Sequence, residues 1–222
     1  MKRMGILVFI LCACLVAVAS GQQPADNTNF SPISVPGTSV IFDPDNVLSS
    51  TRLAKLGSNG SLGATPAVQA LTFAAGANQT FTFSATGMIG CCGTINIGPD
   101  GYRGNSNIYK LKSISGFRAP RQVPLVGVFT DGKPQGGAPR DYNYKKGVRQ
   151  ATFSPRLNQV FFIGDGLTGT GKGSTQTFNV PSTATELWLG FADAPGFSGP
   201  PGAYGDNPGS LTVSGTLSTP SE

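Results

Sequence analysis

The stretch Glu186-Leu-Trp-Leu-Gly-Phe-Ala-Asp193 sets large apolar side chains at every second position, from Leu187 to Phe191. A period of two places alternate residues on opposite faces of an extended chain, so it predicts a β-strand. The segment Ser210-Leu-Thr-Val-Ser-Gly215 repeats this alternation and predicts another strand. We expect the two strands to pair, with the Gly- and Pro-rich segment between them as their connection.

Short apolar runs separated by turn residues recur along the rest of the chain. They predict further strands at 33–42, 67–73, 79–85, 123–129, 160–166 and 176–180. The runs 67–73 and 79–85 are the clearest pair, with a turn at 76–78 between them. Gly and Pro together make up 48 of the 222 residues, and no helical pattern of ten or more residues follows the leader. The predicted fold class is therefore all-β, an antiparallel β-sandwich.

Residues 1–20 have the pattern of a signal peptide, because Lys2 and Arg3 precede an apolar run that ends in small residues. Cleavage is predicted near Ala19–Ser20, which would place the protein outside the cell or in a periplasm. Leu11-Cys-Ala-Cys14 loosely resembles a lipoprotein processing site, but the apolar run continues past it and favours ordinary cleavage. This apolar run is too short to predict a membrane span, and no other run approaches its length.

The remaining chain is expected to form one domain. A single sandwich domain is predicted at 33–217, after a polar, flexible N-terminus at 21–32 and before a loose tail at 218–222. About 200 residues are enough to bury a sizeable core without covalent staples.

The charge balance predicts no nucleic-acid partner. Cleavage of the leader removes two of the 16 basic residues and none of the 11 acidic ones, which leaves a net charge of +3. The basic residues are spread through one loop-rich region rather than massed on a helix or interleaved with aromatic residues. This region contains Arg118, Arg121, Lys133, Arg140, Lys145, Lys146 and Arg149. We interpret it as a solvated face.

Cys91 and Cys92 are adjacent and are the only cysteines after the leader. Export favours oxidation, but a disulfide between neighbouring residues requires a strained ring. A vicinal disulfide, two free thiols and intermolecular pairing all remain open.

The loop between the first two predicted strands carries oxygen-bearing side chains. Asp193 lies at the end of the first strand, and Asp206 and Asn207 lie just before the second. Carboxylate and amide oxygens without neighbouring histidines favour a hard cation, of which Ca²⁺ is the natural candidate. The sequence Asp-Asn-Pro-Gly is also an ordinary turn, which needs no metal.

The order of strand, acidic residue, loop, Asp206-Asn-Pro-Gly209 and strand resembles the calcium- and sugar-binding loop of the PA-IL-like galactophilic bacterial lectins. It is more similar still to a group of uncharacterised secreted bacterial β-sandwich domains that share this loop. The resemblance implies a galactose-binding-like or jelly-roll sandwich in which one Ca²⁺ bridges protein and sugar hydroxyls. The implied ligands are the side chains of Asp193, Asp206 and Asn207 and the backbone carbonyls of Cys91 and Ala203.

The chain departs from the lectin pattern at several positions. Residues 197–202 are an insertion, and Asp206 stands where the lectins have the first Asn of an Asn-Asn pair. Asn105 and Ile108 stand where the lectins contact sugar through His and Gln, so a preference for galactose is not implied. The residues that the resemblance places near the sugar are Asn105, Asp193, Tyr204 and Asp206.

Several kinds of catalytic site are excluded or disfavoured. The sequence has no histidine, which excludes His-based triads and His-ligated zinc. Gly166-Leu-Thr-Gly-Thr-Gly-Lys-Gly173 resembles a phosphate-binding loop, but Gly173 replaces the hydroxyl residue that holds Mg²⁺ and a strand is predicted to follow, so no nucleotide is expected. The acidic residues show no spacing that defines a glycosidase pair. We therefore expect no enzyme.

The predicted function is a secreted, non-catalytic carbohydrate-binding module that binds sugar hydroxyls through a loop-held Ca²⁺. The alternative is a structural or adhesive extracellular domain in which Ca²⁺ only stabilises the loop. Fold-level likeness alone cannot choose between them.

Overall fold

The computed structural model describes residues 26–46, 48–133 and 136–220. Its strands, in chain order, are β1 (Asp26–Pro36), β2 (Ser39–Val40), β3 (Thr65–Pro66), β4 (Val68–Thr72), β5 (Thr80–Cys91), β6 (Thr94–Ile97), β7 (Tyr102–Ile108), β8 (Phe117–Gln122), β9 (Leu125–Thr130), β10 (Thr152–Phe153), β11 (Phe161–Phe162), β12 (Leu167–Gly169), β13 (Lys172–Thr175), β14 (Thr177–Asn179), β15 (Glu186–Phe191), β16 (Ser198–Gly199) and β17 (Gly209–Thr219). The helical elements are α1 (Ser50–Leu56) and three 3-10 turns at Pro44–Asn46, Pro195–Phe197 and Tyr204–Asp206.

Two six-stranded sheets form the body of the domain. The first has the order β1-β17-β5-β14-β10, with β6 paired to β5, and the second has the order β11-β9-β15-β2-β3, with β4 paired to β15. Two small sheets, β12-β13 and β16-β7-β8, complete the fold. The long pairings are antiparallel, whereas β10–β14, β2–β15, β2–β3 and β7–β16 are short parallel pairs. The prediction of an all-β sandwich is confirmed.

Phenylalanine rings from the two sheets meet to form the core. The ring of Phe81 in β5 lies 5.7 Å from that of Phe129 in β9. Phe161 in β11 lies 5.5 Å from Phe178 in β14. All four side chains are fully buried, and each such burial stabilises the fold by roughly 1.5–3 kcal/mol. The alternation seen in the sequence thus turns one face of each sheet toward the other.

The two predicted strand pairs are wrong, although their strands exist. β4 pairs with β15 in the second sheet, whereas β5 pairs with β17, β14 and β6 in the first. The connection 73–79 therefore crosses the edge of the sandwich instead of closing a hairpin. Phe73 still contacts Phe81 at a ring distance of 5.6 Å, because the two residues pack between the sheets. The strands β15 and β17 likewise belong to different sheets.

The predicted flexible N-terminus is wrong for residues 26–32, which lie in β1. This strand pairs with β17 at 26–30 and at 33–36, with a shift in register between Phe30 and Ile33. Its polar residues are held by cross-strand side-chain contacts, such as that between Asn29 Oδ1 and Thr216 Oγ1 at 2.6 Å, and Phe30 is buried against Phe83. Ser218 and Thr219, predicted as part of a loose tail, belong to β17. The signal peptide and its cleavage site lie outside the described residues.

The segment that resembles a phosphate loop forms a hairpin. β12 and β13 pair across it, and the backbone N–H of Gly171 donates to Oδ2 of Asp165 at 2.6 Å. A phosphate loop must lead into a helix, whereas this one leads into a strand. In the part of the chain that the structure describes, no helix has the length and apolar character needed to cross a membrane.

Candidate cation site at the crossover loop

The segment 192–208, here called the crossover loop, carries the chain from one sheet to the other. β15 ends at Phe191 in the second sheet and β17 begins at Gly209 in the first. Asp193 and Asn207 therefore lie at opposite ends of the loop. The loop closes on itself, because Nδ2 of Asn207 donates to Oδ2 of Asp193 at 3.0 Å and the N–H of Gly202 donates to the carbonyl of Asp193 at 3.0 Å.

The β5–β6 turn is brought to the same place by strand register. Gly209 pairs with Ile89, and the N–H of Gly90 donates to the carbonyl of Pro208 at 2.7 Å. Just after β5 ends, the turn reaches Asp206, because the N–H of Cys92 donates to its Oδ2 at 3.3 Å. The side chains of Asp193, Asp206 and Asn207 and the cysteine pair thus gather where the two sheets meet.

Tyr204 supports the loop from inside and does not face solvent. Its hydroxyl donates to the carbonyl of Phe191 at 2.9 Å and accepts from the N–H of Asp193 at 3.2 Å. The side chain is 0% exposed, and burial raises the pKa of its hydroxyl well above the usual value. The expectation that Tyr204 contacts a sugar is therefore wrong. It sits in the core and fixes the backbone on either side of Ala192.

A second loop, residues 57–63, packs against the crossover loop. No motif in the sequence predicts this contact. The N–H of Gly205 donates to Oδ1 of Asn59 at 3.0 Å. The N–H of Leu62 donates back to the carbonyl of Gly205 at 3.0 Å. A Cβ on Gly60 would come within 2.0 Å of that carbonyl, so glycine is required for this approach. The Gly-, Asn- and Ser-rich composition of residues 57–63 indicates a loop but not its contact.

The Asp193 carboxylate is buried, and hydrogen bonds compensate only in part for its lost hydration. It is 1% exposed, and its Oδ1 accepts from the N–H of Ala194 at 2.7 Å. Burial raises the pKa of Asp193 to about 7, the nearby Asp206 charge adds to the rise, and the hydrogen bonds from Asn207 and Ala194 oppose it. Among the described residues, the one charge that shifts this pKa is the negative charge of Asp206, and a bound cation would supply the opposite charge.

Two oxygens next to this carboxylate are buried without a hydrogen-bond partner among the described residues. They are Oδ1 of Asp206 and Oδ1 of Asn207. Asn207 is 0% exposed, and its Nδ2 is already used by Asp193 and by the carbonyl of Gly37 at 3.4 Å. Buried acceptors without donors cost free energy, and a coordinated cation is one way to satisfy them. These residues therefore fit a hard cation.

The cysteines offer a competing set of ligands. Both are free thiols; Cys91 is 2% exposed and Cys92 is exposed. Their sulfurs and a carboxylate oxygen of Asp206 lie within 4.8 Å of one another, which could suit a softer metal. Burial, contact with Cys92 and the negative charge of Asp193 raise the pKa of the Cys91 thiol. A thiol that keeps its proton is a poor ligand, so we favour the oxygen set.

Asn105 lies on a strand that pairs with the crossover loop, because Asn107 of β7 lies opposite Ser198. It lies on β7 and helps to line a groove with Asn107, Arg118 and Tyr144, and the lining residues described for this groove include none of the crossover loop. That Asn105 faces the same ligand as Asp206 stays a prediction. Ala203, the other implied carbonyl ligand, precedes the turn at Tyr204–Asp206 and adopts a left-handed backbone with φ of 69°.

Glu186 illustrates why a carboxylate need not be catalytic. Its Oε2 accepts from Oγ1 of Thr130 at 2.5 Å and from Nε1 of Trp188 at 3.2 Å. The contacts join neighbouring strands of the second sheet, so we assign Glu186 a structural role.

Comparisons with protein-family models, with curated proteins and with solved structures found no match to this chain. The resemblance to the PA-IL-like lectins rests on the quoted motifs and stays a prediction.

Proposed function

We propose that the domain is an exported, non-catalytic carbohydrate-binding module that binds sugar hydroxyls through one Ca²⁺ held at the crossover loop. The observation that supports it best is the pair of buried, unpartnered oxygens on Asp206 and Asn207, next to the buried carboxylate of Asp193. Two carboxylates and an amide oxygen provide hard ligands and two negative charges, which match a divalent cation.

The ligands would come from both sheets. Asp193, Asp206 and Asn207 would supply side-chain oxygens, and Cys91 and Ala203 would supply backbone carbonyls. Ca²⁺ accepts about six to eight oxygens in flexible geometry, so this set would leave positions for external oxygens. Neighbouring hydroxyls of a sugar are suitable ligands for such positions. Asp206 is half-buried and Cys92 is exposed, which gives the cluster an edge that a sugar could reach.

A structural cation is the second candidate, and one observation favours it. Asp193 and Asn207 are almost fully buried, so a cation close to both would have few positions open to solvent. In that case Ca²⁺ would join the two sheets and stabilise the fold by linkage, and the domain would bind no sugar through it.

A glycan panel separates the two candidates. The chain from residue 21 onward is applied to the panel with Ca²⁺, and then with a chelator. Chelator-sensitive binding that is lost in Asp206→Ala and kept in Asp26→Ala, a matched exposed carboxylate on β1, supports the carbohydrate function. Calcium-dependent stabilisation without binding to any glycan selects the structural role.

A further inference from the structure

A basic groove runs beside β7 and β8, and Asn107, one of its lining residues, pairs with Ser198 of the crossover loop. One part, with a volume of about 370 Å³, is lined by Arg103, Arg121, Lys146 and Arg149. The other part, of about 550 Å³, is lined by Ser106, Asn107, Arg118 and Tyr144. Both parts also contact Pro120, so they adjoin. The fold thus brings together basic side chains that the sequence predicts to be spread over a solvated face.

The groove has positive charge without a matching negative charge. Five of its lining residues are Lys or Arg, and the lining residues described include no Asp or Glu. Arg103 lies directly opposite Arg121 in the antiparallel register of β7 and β8. Like charges directly opposite each other destabilise a sheet unless something neutralises them. An anion between the two guanidinium groups would do so.

Arg121 is a nearly buried cation in the groove. Its side chain is only 9% exposed, and its Nε is buried with no hydrogen-bond partner among the described residues. Buried cations are normally paired, because an unpaired one loses hydration without compensation. A guanidinium group offers a planar fork of donors that fits the two oxygens of a carboxylate or sulfate group.

The adjoining part of the groove offers neutral polar atoms. Oγ of Ser106 and Oδ1 of Asn107 are buried and have no partner among the described residues. Tyr144 is held in place, because its hydroxyl accepts from the N–H of Phe162 at 2.7 Å, and its ring packs 5.9 Å from that of Phe117. Buried hydroxyl and amide oxygens beside a fixed aromatic ring suit a polyhydroxylated ligand.

We propose that the basic groove binds an acidic saccharide, with its carboxylate or sulfate group at Arg103 and Arg121 and its hydroxyls at Ser106 and Asn107. Nucleic acid fits less well, because Tyr144 is the only aromatic residue among those described as lining the groove and single strands need successive stacking surfaces. The site needs no cation and does not depend on the function proposed for the crossover loop.

Isothermal titration in the presence of a chelator tests the proposal. The probes are trigalacturonate for the carboxylate, a sulfated disaccharide for the sulfate, maltotriose as the neutral control and a short single-stranded DNA for the nucleic acid. We expect at least one acidic saccharide to bind, maltotriose to bind at least tenfold more weakly, and affinity to fall as salt is raised.

The variants locate the site. Arg103→Gln with Arg149→Gln changes two exposed side chains, so this double variant should fold and lose at least tenfold in affinity. Arg121→Lys keeps the charge but removes the fork of donors, and it should also weaken binding. Arg52→Gln on α1, outside the groove, should bind like the unchanged chain. Failure of both acidic saccharides to bind, equal binding of maltotriose, tighter binding of DNA, or full affinity in the double variant would each overturn the proposal.

Discussion

Nδ2 of Asn207 donates a hydrogen bond to Oδ2 of Asp193 over 3.0 Å, and the two residues come from opposite ends of the crossover loop. Asp193 follows the last residues of β15 in the second sheet, and Asn207 precedes β17 in the first. The bond therefore joins the two sheets of the sandwich at one edge. The other atom of the same amide, Oδ1 of Asn207, has no hydrogen-bond partner in the described part of the chain and lies next to a buried carboxylate.

The buried Asp193 should make the stability of the cation-free protein depend on pH. Its pKa is raised from 3.8 to about 7, chiefly by burial. Between these values the folded protein holds a proton that the unfolded chain has released. The stabilisation is therefore fully present below pH 4 and is lost as the pH rises through 7. In chelator, we expect the free energy of unfolding to fall by about 1–3 kcal/mol from pH 5 to pH 8.

Urea unfolding across this pH range measures the effect. The sequence has no histidine, so few other side chains titrate in the same window. Asp193→Asn should flatten the profile, and Asp26→Asn, an exposed control, should not. A stability that is constant or that rises with pH in the unchanged chain would show that Asp193 is ionised in both states.

Tyr204 should matter for stability. Tyr204→Phe removes a buried hydroxyl that donates to Phe191 and accepts from Asp193. The N–H of Asp193 then loses this acceptor, whereas the carbonyl of Phe191 still accepts from the N–H of Ile41 at 3.2 Å. We expect the free energy of unfolding to fall by about 1–3 kcal/mol. The control is Tyr109→Phe, since Tyr109 is exposed, and its unfolding curve should match that of the unchanged chain. Equal stability of Tyr204→Phe would contradict the bridging role.

The contact between the crossover loop and residues 57–63 should be sensitive to a single methyl group. A Cβ on Gly205 would lie 2.0 Å from the carbonyl oxygen of Gly57, so Gly205→Ala must push the two loops apart. A Cβ on Gly63 would meet nothing within 4 Å, which makes Gly63→Ala a matched control. Overpacking of this kind costs roughly 1–3 kcal/mol. Thermal melting should show a clear loss for the first variant only, and equal melting temperatures would refute the close approach.

The two thiols should differ in reactivity. Cys92 is exposed, whereas Cys91 is buried and its pKa is raised by burial and neighbouring groups. Because the thiolate is the reactive form, iodoacetamide should label Cys92 in the native protein and should reach Cys91 only after unfolding. Peptide mapping by mass spectrometry on the chain from residue 21 onward assigns the label. Equal labelling, or a peptide two mass units lighter with no label, would indicate exposure of Cys91 or a vicinal disulfide.

Local patterns in the sequence identify strands but not their partners. Alternation in 186–193 predicts β15 because the side-chain period of a strand is two in any sheet. The same period says nothing about which sheet a strand joins, so β4 and β5 are predicted as a hairpin and lie in different sheets. The first part of β1 escapes prediction because residues 26–29 are polar and exposed, and pairing with β17 alone makes them a strand.

The sequence also predicts only part of the candidate site. The positions of Asp193 and Asn207 at strand ends suggest that they lie close together, and the structure places them in contact. Tyr204 follows a Gly- and Pro-rich loop that suggests exposure, yet it reaches the core through contacts with β15. The approach of residues 57–63 and the gathering of Arg103 with Arg121 depend on tertiary packing, which no short motif records.

Isothermal titration of Ca²⁺ into chelator-treated protein tests the central claim most directly. The proposed site predicts saturable binding of about one Ca²⁺ per chain that is abolished in Asp206→Ala and retained in Asp26→Ala. Absence of binding, binding that is unchanged in Asp206→Ala, or a marked preference for a thiophilic metal that depends on Cys91 and Cys92 would contradict a calcium site at the crossover loop.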